Sequence, residues 1–174
     1  MTPSRECLEF INDIFCIPII RDVIEHLVVC PDCHDSNDVN AIASKLANVH
    51  TLEVVYVLQH EHVEQKVFKI SNILLSACVL GKLRNICFIF RGFEPSTLEG
   101  QLKDADEIQQ LQHRILDLSP KSVTFDADAF GDRRETFLSK AEVTKNMLKE
   151  SFPKLFGQEI AKIVVVQGEY KVIP

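Results

Sequence analysis

Leu46-Ala47-Asn48-Val49-His50-Thr51-Leu52-Glu53-Val54 and Leu80-Gly81-Lys82-Leu83-Arg84-Asn85-Ile86-Cys87-Phe88 are the two stretches that decide the fold. Laid over one another, they carry apolar side chains at the same positions, spaced three, three and then two apart. Spacing by three suits a helix closing onto a core, and spacing by two suits a strand with one buried face. Each stretch therefore reads as a helix end turning into a short strand. Ile24-x-x-Leu27-x-Val29 and Ile160-x-x-Ile163-x-Val165 give a shorter form of the pattern. Val123-x-Phe125 keeps only the strand pair, with Pro120 at the earlier position.

Working outward, five apolar runs read as strands: Leu27–Cys30, Leu52–Leu58, Ile86–Phe90, Val123–Phe125 and Ile163–Val166. Their shortness and β-branched content favour strands over helix fragments. Helical stripes lie between them, at Val39, Ile42, Ala43, Leu46 and Ala47, at Val67, Ile70, Leu74 and Leu75, and at Ile108, Leu111, Ile115 and Leu116. A less regular stripe runs from Phe137 to Leu148, and Leu8, Ile11, Ile14 and Phe15 mark an opening helix over 5–17. Ser36-Asn37-Asp38 offers capping oxygens, Ser71-Asn72 a weaker break, Gly81 a helix end and Gly92 a strand end. Glu94-Pro95-Ser96 and Ser119-Pro120 read as loops, and the charged run Lys103–Glu107 as a helix start with its acids at the favourable end. Alternating strands and helices predict an α/β fold, a single domain over 1–174 with a parallel sheet joined by right-handed crossovers. The strand starts at 27, 52, 86, 123 and 163 keep no fixed period.

With a helix closing on two apolar contacts before each short strand, the chain resembles divergent leucine-rich-repeat proteins, of the irregular kind that follow an F-box in fungal F-box proteins. The two stretches quoted first carry the likeness, and Ile17–Leu27, a short helix leading into a strand, resembles how such repeats begin. The resemblance spans most of residues 17–168 and implies a protein-binding module. The asparagine usual three positions after each strand is replaced by Asp32, Val57, Arg91, Asp128 and Gly168, so no asparagine ladder is expected. No F-box motif stands at the N-terminus, and the ligase-adaptor role is not carried over.

The opposite strand face decides how the sheet is covered. It would hold Val28, Val55, Cys87, Ile89, Val164 and Val166, with Glu53, Thr124 and Asp126 as polar exceptions. Strands apolar on both faces usually lie between two helix layers. The alternative fold is thus a compact doubly wound three-layer sandwich; otherwise a partner covers the second face. On the interaction reading the partner-binding residues are Glu53, Val55, Cys87, Ile89, Thr124 and Asp126.

Composition narrows the classes of function. Nineteen Lys and Arg stand against 25 Asp and Glu, a net charge of −6. A nucleic-acid binder wants a basic face, so none is expected as a partner. No apolar stretch is long enough to span a bilayer, so no membrane partner is expected either. Six cysteines without a signal-like N-terminus predict free thiols and a cytoplasmic or nuclear location.

Two constellations bear on chemistry. Cys30-Pro31-Asp32-Cys33-His34 is formally a c-type haem motif, but that attachment needs an export route. Zinc is the softer reading, with Cys30, Cys33 and His34 joined by His60 or His62, although structural zinc asks for two tight pairs. A redox dithiol lacks its usual Trp-Cys-Gly-Pro-Cys setting. Asp126, Asp128 and Gly131 fit the first, third and sixth positions of a calcium loop, but Phe130 and Phe137 fail the fifth and twelfth. The plain reading of this stretch is a strand-end loop whose acids accept backbone bonds. No phosphate-binding glycine loop, nucleophile elbow or H-E-x-x-H motif is present. The expectation is a non-catalytic interaction module without cofactor. The alternative is a metal- or thiol-dependent α/β enzyme using Cys30, Cys33 and His34, with zinc as the cofactor, or Asp126 and Asp128.

Overall fold

A computed structural model describes residues 25–30, 48–57, 67–93, 95–129, 134–167 and 170–172. One sheet holds β1 His26–Val29, β2 Thr51–Val57, β3 Asn85–Phe93, β4 Ser122–Ala129, β5 Ala161–Gln167 and β6 Tyr170–Val172. Between them come α1 Val67–Ser76, α2 Pro95–Gln101, α3 Ala105–Leu118, α4 Arg134–Ser151 and α5 Pro153–Gly157. The strands stand side by side in chain order. β1 to β5 are parallel, and β6 turns back antiparallel to β5. The protein is therefore α/β, as its alternating pattern predicts. The expected helices over 5–17 and around Val39–Ala47 lie outside the described residues.

The doubly wound alternative does not describe this sheet. That architecture reverses strand order at a switch point and places helices on both faces. Here the order never reverses, and right-handed crossovers laid down in one direction all fall on the same side. The buried core accordingly takes in one strand face. Leu52, Ile86 and Val123 form one register row, Val54, Phe88, Phe125 and Ile163 the next, and Tyr56, Phe90, Ala127 and Val165 a third. All of these side chains are fully or almost fully buried. Aromatic rings join the rows to the helices. Phe68 of α1 lies edge-on to both Phe90 and Phe152, and Phe125 stands against Phe88, Phe152 and Phe156.

Strand entries repeat one backbone arrangement. The Glu25 carbonyl accepts from the amides of His50 and Thr51 at 2.7 and 2.9 Å. His50 receives Arg84 and Asn85 at 2.8 and 3.0 Å, and Arg84 receives Lys121 and Ser122 at 2.7 and 3.1 Å. Val49, Leu83 and Pro120, each three residues before the first buried strand residue, are all buried. The apolar template thus marks equivalent places in three consecutive units. Two of its positions differ. Leu80 is 69% exposed in the turn after α1. Ile163 pairs with Phe125 rather than with Val123, a shift of two that keeps the face while changing the row.

Several boundaries move for local reasons. Ser71 and Asn72 lie within α1, because the Ser71 hydroxyl hydrogen-bonds the buried Tyr56 hydroxyl across the layer instead of breaking the helix. β3 passes through Gly92, whose φ of +64° sits where the register with β4 shifts between Arg91 and Phe93. A bulge of this kind bends a strand without ending it. Pro95 opens α2 rather than a loop, since its missing N–H is unneeded in a first helical turn. α3 begins as the charge pattern predicts: Asp104 accepts from the Glu107 amide at 3.2 Å, with Asp106 and Glu107 in the first turn.

Candidate functional site

Alternation places every second strand residue on the sheet face away from the helices. Four register rows cross it: His26, Thr51, Asn85 and Ser122; then Val28, Glu53, Cys87, Thr124 and Lys162; then Val55, Ile89, Asp126 and Val164; then Val57, Arg91, Asp128 and Val166. The six residues expected at a partner surface, Glu53, Val55, Cys87, Ile89, Thr124 and Asp126, all lie here, in two adjoining rows. None belongs to the helix-side core cluster. Exposure across the face is uneven. Val28 is 55% exposed, whereas Ile89 and Val164 are each 8% exposed. Val55, Cys87 and Thr124 are half-buried.

The entry row is tied together by side chains. Asn85 Nδ2 donates to Thr51 Oγ1 at 3.2 Å, and Ser122 Oγ donates to Asn85 Oδ1 at 3.0 Å. His26 Nε2 lies 2.9 Å from Glu53 Oε1, one row further in. Sequence reasoning passed over this ladder. Its signal is a polar residue just before the first buried residue of each strand, Leu52, Ile86 and Val123.

Ionisable groups gather beyond that row. Asp126 and Asp128 lie within β4, not in a loop after it, because alternation carries on past Phe125 through Ala127. Arg91 Nη1 stands 3.8 Å from Asp126 Oδ1 and 3.9 Å from Asp128 Oδ2. The Cys87 thiol is pushed up to about 12, first by burial, then by Asp126 and Glu53, with Arg91 and Lys162 opposing. Burial alone pushes the Cys78 thiol up to about 11. Both thiols therefore stay protonated at neutral pH, and thiolate is the nucleophile. Native Cys87 is expected to alkylate with iodoacetamide at pH 8 at least tenfold more slowly than in the urea-unfolded chain, on the order set by thiolate scarcity. Equal rates in a quenched-labelling time course would contradict that environment.

No family model, curated protein or solved structure matches the chain.

Of the candidate metal ligands, Cys30 is half-buried just past β1, while Cys33, His34, His60 and His62 lie outside the described residues. Among the described residues no three His, Cys, Asp or Glu side chains come together as a metal site. Two depressions open on the helix layer instead. One of about 560 Å³ is lined by Gly100, Gln101 and the Lys103–Glu107 run. The other, about 460 Å³, lies between α3 and the α4–α5 join, beside Gln112 and Lys154. Neither is lined by a residue expected at the partner surface or at a metal site. No helix among the described residues is long and apolar enough to cross a membrane.

Proposed function

We propose that the chain is a protein-interaction module that presents to a protein partner the sheet face opposite its described helices. The observation that carries this reading is Val28, 55% exposed on the same sheet face as half-buried Val55 and Cys87, outside the helix-side core. An aliphatic side chain left in water, with half-buried neighbours on a regular strand face, is what a docking partner would cover. The sequential strand order and the recurring strand entries support the likeness to leucine-rich repeats.

Val28→Glu and Val55→Glu test it. Each puts a charge into a contact surface without touching the helix-side core. Ile89, at 8% exposure, is the poorer site, because a charge there would disturb the fold itself. Both variants are expected to unfold in urea near the wild-type midpoint and to weaken capture of the protein partner by about tenfold or more. A doubly substituted chain that folds normally and holds the same partner with unchanged affinity would overturn the reading.

A further inference from the structure

We propose that the segment received by this face is a protein chain carrying arginine or lysine between aliphatic residues, with one basic head seated on Asp126. The inference rests on the docking reading above and adds the partner's chemistry.

Asp126 lies between Ile89 and Val164 in the third row, each 8% exposed, so its carboxylate is set in an apolar strip. Its Oδ1 is buried and, among the described residues, accepts no hydrogen bond. Its cation, Arg91, stands at 3.8 Å, beyond hydrogen-bond length, and divides itself with Asp128 at 3.9 Å. The rest of the carboxylate still meets water, since the side chain is 26% exposed. A wholly apolar partner would remove that water and supply nothing in return, and a dehydrated carboxylate lacking short donors is strongly unfavourable. A guanidinium or ammonium supplies the donors and the opposite charge together.

The neighbouring groups favour the same sign. Glu53, in the adjoining row, is held by His26, which is itself 56% exposed. Three carboxylates, Glu53, Asp126 and Asp128, share this face with two fixed cations, Arg91 and Lys162, and the two acids nearest Cys87 push its thiol up. The net charge of −6 reinforces this. Basic segments are drawn to such a surface, and polyanions are repelled. Val28, beside Glu53 on β1, and Val55, two residues further along β2, supply the apolar ground that aliphatic neighbours in the partner would meet.

Panning a displayed library of random peptides on the whole chain, with counter-selection on Val55→Glu, is the test. Enriched peptides are expected to alternate basic with aliphatic residues. They should bind Asp126→Asn about tenfold more weakly and weaken further at high salt, while Asp126→Glu restores affinity. Acidic or uncharged winners, or basic ones indifferent to Asp126→Asn, would overturn this inference while the docking reading stands. A library yielding no peptide that distinguishes wild type from Val55→Glu would overturn both.

Discussion

Phe125→Ala is expected to remove about 3–5 kcal/mol of folding free energy. Phe125 sits mid-strand in β4, on the helix side, with no exposure. Its ring centroid is 5.4 Å from that of Phe88, 5.0 Å from Phe152 and 6.0 Å from Phe156. It therefore joins the neighbouring strand to the end of α4 and to α5. Truncation discards the ring's transfer free energy and leaves a cavity walled by other rings, which cannot close without breaking their own stacking. Domains of this kind are stable by about 5–15 kcal/mol in total, so one side chain governs a large share. Urea unfolding followed by far-UV circular dichroism should show the midpoint fall steeply at unchanged slope. Thr124→Ala, one residue away on the opposite face, should shift it by less than about 0.5 kcal/mol. A Phe125→Ala loss below about 1 kcal/mol would mean that the aromatic chain is not the keystone of this core.

Alternation and helical spacing made most of the architecture readable. Leu52, Val54, Ile86 and Phe88 alternate with polar or small neighbours, and all four prove to be buried in matching register rows. The stripes at Val67–Leu75 and Ile108–Leu116 became α1 and α3. What escaped has physical reasons. The sequence pattern ends β4 at Phe125 because acids then follow, yet Asp126 and Asp128 are simply the outward members of a strand whose inward member is Ala127. The apolar template sets β5 two residues out of row because a period of two cannot tell one row from the next. Ile89 and Val55 looked alike as outward aliphatics, but one is buried and the other half-buried. Accessibility within a face depends on which side chains flank a residue from other strands, and a linear pattern does not record that. The second face leaves two readings open in the sequence for a related reason. Apolar residues on both faces fit a two-sided helix layer as well as a docking surface, and only strand order separates the two.

Adjacent valines in β2 make the difference between the faces measurable. Val54 is fully buried among Phe88 and Phe125 in its register row, whereas Val55 opens onto the other side. Val54→Glu would force a carboxylate into an aromatic core whose register row is Val29, Phe88, Phe125 and Ile163, at a cost of several kcal/mol beyond the lost valine packing. Set against a total stability of about 5–15 kcal/mol, that is enough to leave the chain largely unfolded. Val55→Glu adds the same charge one residue later, where the side chain extends into water, and should change stability by about 1 kcal/mol or less. Circular dichroism with size-exclusion chromatography compares the pair directly. Val54→Glu is expected to lose its cooperative transition and elute as expanded or aggregated chain, while Val55→Glu elutes with wild type. Equal destabilisation of both would mean that the second face is as deeply buried as the first, and the docking surface would go with it. A folded Val54→Glu would instead require the register of β2 to have slipped by one, exchanging its two faces.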